Sequence, residues 1–387
     1  GASDVLVVLK TGSTEIFEKL PEHLLTLFNC VPHKLIFSDL EQDVAGIHVH
    51  DALANIPHSW KTELPEFEAY REIKEARGMG LDLANLKSGR FWDLDKWKFL
   101  PMVHRSRQMF PDVKWAIFIE ADTALSWTNF LQLTRAHDSE LKLYFGAQNM
   151  LGDTAFAHGG SGIVLSQGAL DAYESVYDEL YTTTWKQYTK NSCCGDGVIA
   201  QALKDAGVEL TPAWPMIQGE TPSSLDWTRR HWCAPAVTWH HAASFEIDEL
   251  WQYHNDWVAE HGWDTPYLFR DIYATFVSPH LRESRDNWDN LSREFQFPRD
   301  PTEINDSGRV RPEAEVHAHE SFEKCRTLCE GRKDCLQFRW RGGRNKRCWL
   351  SNVVQLGRPV PEDDEVKPRS GWLLDRIDEW KQKREPC

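Results

Sequence analysis

Apolar positions fall into two alternating kinds of segment. Short unbroken runs occur at Val5-Leu6-Val7-Val8-Leu9, Leu35-Ile36-Phe37, Trp115-Ala116-Ile117-Phe118-Ile119 and Ile163-Val164-Leu165. Between them apolar residues recur at three- and four-residue spacing, as at Ile16, Phe17, Leu20, Leu24, Leu27 and Phe28. Unbroken runs read as strands covered on both faces, and the wider spacing reads as amphipathic helices. The chain therefore opens strand, turn, helix, strand, the unit from which parallel sheets are built. Thr14 caps the first helix, which is expected to run to about Phe28 with a break at Pro21. Further helices are expected over residues 67–76, 93–109 (kinked at Pro101), 128–136, 168–181, 197–206 and 246–260. Strands are expected at 141–145 and 237–241. Residues 43–65 lack periodicity and read as loop. The pattern predicts an α/β fold with a mainly parallel central sheet.

The pattern changes toward the C-terminus. Residues 299–315 are rich in Pro, Asp, Glu and Arg and read as a linker. A large domain over residues 1–300, a linker over 301–315 and a small module over 316–387 are expected. Of nine cysteines, Cys325, Cys329, Cys335, Cys348 and Cys387 lie in that last segment. Such density points to a disulfide-stapled module in an oxidising compartment. Two glycosylation tripeptides, Asn290-Leu291-Ser292 and Asn305-Asp306-Ser307, agree with a secreted glycoprotein. Net charge is −15, from 59 acids against 44 Lys and Arg. That excludes a non-specific nucleic-acid binder, which needs surplus cations to displace phosphate counterions. No run of 18 apolar residues is present. The start, Gly1-Ala2-Ser3, reads as an expression remnant, and an upstream membrane anchor is part of the expectation.

Candidate chemistry gathers where the predicted strands end. Glu120 and Asp122 follow the Trp115–Ile119 run and face one side if the chain stays extended. The carboxyl ends of open α/β sheets are where ligands sit. The alternative is that Asp122 caps the turn into the next helix. Lys10, Thr11 and Asp39 follow the first two strands in the same way, with a plain turn as the alternative for Asp39. Lys98 is either a diphosphate contact or a solvated helix-face lysine. His158-Gly159-Gly160-Ser161-Gly162 lets a backbone approach a ligand closely, or makes a tight turn before a strand. Asp196 precedes a helix, where it reads as an N-cap. His240 and His241 end the late strand, and alternation allows one of them to face a metal. There are 18 tryptophans, whose indoles fill cores and stack on sugars.

Taken in order, several of these segments resemble glycosyltransferase family 31, the fringe-like and β-1,3-galactosyltransferase-like enzymes. They are Lys10-Thr11, Leu35–Asp39, Trp115–Thr123, Gly159–Ser166 and Gly195-Asp196, and the resemblance covers residues 5–260. Within the family the chain is most similar to fungal members with a Cys-rich tail, including β-1,5-galactofuranosyltransferases. The resemblance implies a GT-A fold and an inverting transfer of a hexose (galactofuranose, else galactose) from a UDP-sugar to a glycan hydroxyl. It implies that Asp122 and His240 hold Mn²⁺ in preference to Mg²⁺, and that Asp196 is the general base. Lys10, Thr11, Asp39, Lys98 and Glu120 then border the nucleotide, and Gly159, Gly160, Ser161 and Gly162 line the donor and acceptor subsites. It also implies a type II protein of the Golgi lumen. Here Glu120-Ala121-Asp122 stands where the family carries three aspartates, so Ala121 marks a departure. The competing expectation is a secreted carbohydrate- or protein-binding protein without catalysis.

The tail resembles PAN/apple modules, which implies Cys325–Cys348 and Cys329–Cys335 among three possible pairings. Cys387 is left over. Cys233 is expected to pair with Cys193 or Cys194. Those two, being adjacent, are expected to have different partners, with Cys30 as a candidate.

Overall fold

The computed structural model describes residues 1–86, 89–300, 312–363 and 365–387. Residues 301–311, most of the expected linker, and the Asn305 tripeptide lie outside the described residues. The described chain divides into two compact units. The first comprises Gly1–Gly219 and Ala236–Pro266, and the second Glu220–Pro235 and Tyr267–Cys387.

The first unit is α/β, as expected. Its sheet contains β1 (Val5–Lys10), β2 (His33–Ser38), β3 (Gln42–Val44), β4 (Ile47–Asp51) and β5 (Trp115–Glu120). Two short pieces follow, β6 (Ala124–Leu125), outside the main sheet, and β7 (Tyr144–Gly146), within it. A separate hairpin, β8 (Gln148–Leu151) and β9 (Thr154–Ala157), precedes β10 (Ile163–Ser166), β11 (Leu210–Pro212) and β12 (Thr238–Trp239). The eight-stranded order is β11-β7-β10-β5-β1-β2-β4-β3. Strands β1, β2, β4 and β5 run parallel, β10 runs against both its neighbours, and β3 runs against β4.

Alternation along the strands divides the core between two faces. Leu6, Val8, Phe37, Ala116 and Phe118 pack with Phe99, Met102 and Tyr173 on one face. Val5, Val7, Leu9, Ile117 and Ile119 pack with Ile16, Leu20 and Trp127 on the other. Every residue of β1 is buried, which accounts for its unbroken apolar run.

Three local expectations change. Helix α1 (Ile16–Leu25) passes through Pro21 without a break. The stretch 43–65 holds the β3–β4 hairpin and helix α2 (His58–Glu63). Its turn is Ala45-Gly46, both in the left-handed region, which matches the twist of a two-residue hairpin. Helix α3 (Phe67–Gly78) is where it was expected. The expected helix over 93–109 is two helices, α4 (Arg90–Asp95) and α5 (Phe99–Met109). Pro101 lies in the first turn of α5, where the helix needs no amide donor from it. The interruption falls at Lys96-Trp97-Lys98, and this sets two lysines at a helix junction. The remaining helices of this unit are α6 (Trp127–Arg135), α7 (Gln167–Leu180), α8 (Lys186–Asn191), α9 (Gly195–Asp205) and a long one over Ser244–His261.

The second unit is a small antiparallel sheet stapled by disulfides. Its five strands are β13 (Arg285–Asp286), β15 (Phe295–Pro298), β16 (Gln337–Arg341), β17 (Arg347–Ser351) and β19 (Arg369–Trp372), in the order β13-β19-β16-β17-β15. A side pair joins β14 (Trp288–Asp289) to β18 (Arg358–Pro359). Cys325–Cys348 and Cys329–Cys335 form as expected. The boundary at residue 300 is corrected: β13 and β15 are strands of the small sheet, and Trp227 bridges to Val354. Residues 220–235 and 267–300 therefore belong with the second unit.

The other cysteines are corrected as well. Cys233 pairs with Cys387, and Cys193 pairs with its neighbour Cys194. Cys30 is free and exposed. The Asn290 tripeptide is also corrected. Asn290 is fully buried, and its Nδ2 donates to the carbonyls of Phe338 and Gly371. A glycan cannot be accommodated there in the folded unit. No helix among the described residues is long and apolar enough to cross a membrane. The four disulfides suit an oxidising compartment.

Candidate active site

The carboxyl end of β5 carries the acids. Extended geometry ends at Glu120, whose carbonyl accepts from the Thr123 amide at 3.0 Å. Thr123 Oγ1 ties this turn to the glycine loop by donating to the Gly160 carbonyl at 2.7 Å. Ala121 is buried in the apolar cluster beside Leu125 and Trp127. An acid at this position would be desolvated among those apolar groups. Its carbonyl accepts from His23 Nε2 at 2.9 Å. Burial lowers the His23 pKa to about 4, so that ring is neutral at pH 7.

Strand pairing brings the late histidines to the same place. Trp239 of β12 lies opposite Ala124 of β6, and the Ala242 amide donates to the Asp122 carbonyl at 3.0 Å. His240 Nε2 is then 3.3 Å from Asp122 Oδ1 and 4.0 Å from Glu120 Oε2. The expected alternation of the two histidines fails. His241 has φ +60°, so the chain turns and both rings come together at 3.9 Å between centroids. Asp122, His240 and His241 each offer a ligand atom, all within 4.8 Å of one another.

Gly160 makes room for this arrangement, since a Cβ there would lie 2.1 Å from His240 Nε2. His158 stands edge-on to His240 at 5.3 Å, with its Nδ1 2.8 Å from Ser161 Oγ. Burial, with the charge of His240 adding to it, lowers the His158 pKa.

Asp196 lies beside the glycine loop. It is the second residue of α9, and Cys194 holds the N-cap position, so the N-cap expectation is corrected. Its Oδ2 accepts from the Gly159 amide at 3.0 Å, and its Oδ1 from the Gly197 amide at 2.8 Å. Burial pushes its pKa up, and those two amides only partly offset the rise. Gly195 lets Phe99 approach, because a Cβ there would meet its ring at 2.1 Å. One cavity of about 350 Å³ is lined by Glu120, Asp122, His158, Gly160, Asp196, His240 and His241, with the Cys193–Cys194 pair and exposed Trp92 on its wall.

The other expected contacts lie in a buried ion-pair network. Lys10, the last residue of β1, pairs with Asp95 and with Glu120 at 3.1 Å. Lys98, 2% exposed, pairs with Asp39 at 2.8 Å and Asp95 at 3.1 Å. It also donates to the Thr11 carbonyl at 3.0 Å. Lys98 is thus neither a solvated lysine nor part of the cavity lining. Asp39 also accepts from the Ser13 amide at 2.9 Å. Lys19 pairs with Glu15 at 2.9 Å and with Asp122 at 3.2 Å. Burial opposes ionisation of Asp122, but the His240 hydrogen bond and Lys19 outweigh it and hold the carboxyl well below its usual range.

Five carboxylates (Glu15, Asp39, Asp95, Glu120, Asp122) face three ammonium groups here, an excess of two negative charges. Two imidazoles and a carboxylate within one cavity, beside that excess, fit a divalent transition ion. His240 Nδ1 is buried without a hydrogen-bond partner, so no second contact fixes its tautomer.

Of the expected residues, Glu120, Asp122, Gly160, Asp196 and His240 meet in the cavity, while Lys10, Thr11, Asp39 and Lys98 form its buried support. Gly159 joins the site through its amide to Asp196, Ser161 through His158, and Gly162 through the positive φ (+107°) that turns the loop into β10. Asp95 and Lys19 do not stand out along the chain, while His158 enters the sequence reading only as part of the glycine loop and His241 only as the alternative to His240. Asp95 had a signal, since it lies three residues from its partner Lys98 at the end of a short helix, but its other partner, Lys10, comes from a distant segment.

No protein-family model matches the chain, and no curated protein sequence matches it significantly. Among solved structures the chain is similar to a glycosyltransferase involved in the glycosylation of the major capsid of PBCV-1. The match has 10% identity and a TM-score of 0.29, over 64% of this chain and 98% of that one. A likeness at that score carries no argument about function, which rests on the site itself.

Proposed function

We propose that the chain is a metal-dependent glycosyltransferase of GT-A type. It moves a hexose from a UDP-sugar to a glycan hydroxyl with inversion, with galactofuranose or galactose as the candidate sugars. The observation that carries this reading is one cavity lined both by the Asp122, His240 and His241 donors and by the Asp196 carboxyl, its pKa raised by burial. Asp122, His240 and His241 would hold the ion, with Mn²⁺ preferred to Mg²⁺ because two of the three donors are imidazoles. A bound divalent ion supplies compensation for the charge that builds on the departing diphosphate.

The protein's own residues do the rest. Asp196 accepts the proton of the acceptor hydroxyl as that oxygen bonds to the anomeric carbon. The bond to the phosphate oxygen breaks, and its electron pair leaves with UDP. The Gly159 and Gly197 amides fix the orientation of the carboxylate, while burial keeps it basic enough to take a proton. Lys10 holds Glu120 in place, and Lys98 locks the ends of β1 and β2 against α5. The fungal cell wall and a Golgi luminal site belong to the same reading.

A screen of UDP-sugars, including UDP-galactofuranose, for Mn²⁺-dependent turnover tests it. Turnover with at least one donor is expected. A second reading, binding without catalysis, is favoured by Lys19, which already neutralises Asp122. If UDP with Mn²⁺ gives no more thermal stabilisation than UDP alone, this second reading replaces the first.

A further inference from the structure

We propose a second metal site, for Zn²⁺ or a similar imidazole-preferring transition ion, on the β3–β4 hairpin. It lies apart from the cavity, and nothing in the proposed reaction uses it. Residues i and i+2 of a strand share a face, so His48 and His50 of β4 project together. Their rings meet edge-on at 4.6 Å. The antiparallel register sets Asp43 of β3 directly opposite His48. Glu41, just before β3, reaches the same face, with Oε1 2.6 Å from His48 Nε2 and 3.8 Å from His50 Nδ1. Its other oxygen accepts from the Asp51 amide at 2.7 Å, which aims Oε1 at the imidazoles. Glu41, His48 and His50 thus offer three ligand atoms within 4.8 Å.

Two further observations point to a metal in preference to a surface ion pair. His48 Nδ1 lies 2.9 Å from Asp43 Oδ1. A carboxylate on the far nitrogen is the usual partner of a metal-binding imidazole, because it fixes the tautomer and raises ligand basicity. The 2.6 Å contact between His48 Nε2 and Glu41 holds one proton between two donor atoms. A tetrahedral Zn²⁺ with bonds of about 2.0–2.1 Å separates its ligand atoms by roughly 3.3 Å, so the ion replaces that proton with a small opening of the pair. Arg105 is the opposing charge, with Nη2 3.5 Å from His50 Nδ1. Its other branch is anchored on the Asp51 carbonyl, and two carboxylates outweigh it. Hard ions such as Mg²⁺ prefer all-oxygen sites and do not suit this donor set. Bound Zn²⁺ would clip the edge hairpin, joining β4 to the segment before β3.

The test is calorimetric titration of the chelator-treated full chain with ZnCl₂. His48→Gln should bind one equivalent fewer than the parent, and should do so equally in a His240→Gln background. Asp43→Asn, which removes only the supporting carboxylate, should weaken that equivalent by about 10–100-fold. Melting without metal should match the parent in both variants, because His48 and Asp43 are solvent-exposed. If His48→Gln disturbs the fold, Glu41→Gln and Asp43→Asn carry the test. Equal Zn²⁺ stoichiometry and affinity in parent and variants would overturn the proposal, as would equal binding of MgCl₂ at this site. Loss of the other equivalent in His240→Gln bears on the cavity alone, so the two readings fail independently.

Discussion

The first unit contains two trios with the same donors in opposite settings. Asp122, His240 and His241 lie at the carboxyl end of the central strand, in a cavity that Asp196 also lines. Glu41, His48 and His50 lie on an edge hairpin facing solvent. His48 is backed by Asp43, whereas the buried Nδ1 of His240 has no hydrogen-bond partner. Asp122 already carries a lysine, and the hairpin trio has only a guanidinium at 3.5 Å. Donor type alone therefore does not assign a role. The hairpin trio has the support that holds an ion tightly and no reacting group beside it. The cavity trio has looser support, and beside it lie the carboxyl of Asp196, which the proposed reaction uses as its base, and a void large enough to admit a ligand.

The largest expected effect separates the trios by what stands beside them. Asp196→Asn should lower turnover by about 10²–10⁴-fold, the usual range for a lost general base, while UDP binding persists. His48→Gln should leave turnover unchanged. Steady-state kinetics with the active donor measures both, and full activity in Asp196→Asn would remove the base assignment.

The same substitution has a stability signature. The folded-state pKa of Asp196 is raised above the ordinary 3.8 by burial. The protonated carboxyl therefore favours the fold, and that contribution is complete below pH 3.8. It is lost as pH rises from there through the folded value. Asn does not titrate, so Asp196→Asn should gain stability relative to the parent across that window and hold the gain above it. Urea midpoints measured at a series of pH values check the sign. A gap that narrows as pH rises would contradict it.

Next in size are the ligands themselves. Asp122→Asn or His240→Gln should weaken Mn²⁺-dependent stabilisation by UDP at least as much as the roughly 100-fold that a lost supporting partner costs. His48→Gln and His50→Gln should leave it unchanged. Thermal shifts across a Mn²⁺ series give the comparison. Loss of the Mn²⁺ response in the hairpin variants would reverse the roles assigned to the two trios.

These contrasts show which parts of the site were legible along the chain. β5 announced itself because burial on both faces demands an unbroken apolar run, and its acids follow directly. The pairing of Asp122 with His240 was legible through the family resemblance. The position of His241 was not, because alternation holds only while the backbone stays extended and φ +60° ends that. The β3–β4 hairpin reads as loop along the chain because its strands are short and polar on one side, although Gly46 is a turn signal. The Asp95–Lys10 and Lys19–Asp122 pairs and the Cys233–Cys387 bond join residues 85 to 154 positions apart, and local pattern carries no information about those. The boundary of the second unit is hidden for the same reason. Residues 285–298 look like the end of a domain until they pair with strands some 50 to 85 residues later.

The smallest effect concerns Lys19, and it bears most directly on the difference between the trios. Its ammonium is partly exposed and shared between Glu15 and Asp122. Pairs of that kind contribute about 0.2–1 kcal/mol. Lys19→Gln should therefore lower stability by no more than about 1 kcal/mol. At the site it removes a cation that competes with a metal for Asp122 Oδ2. The affinity for Mn²⁺ should rise by up to about fivefold, the equivalent of that same energy. High salt screens the ammonium and should shrink the difference between variant and parent. If Mn²⁺ affinity falls instead, Lys19 positions Asp122 for the ion and does not compete with it. The cavity trio would then resemble the hairpin trio, in which a neighbouring charge holds a ligand ready.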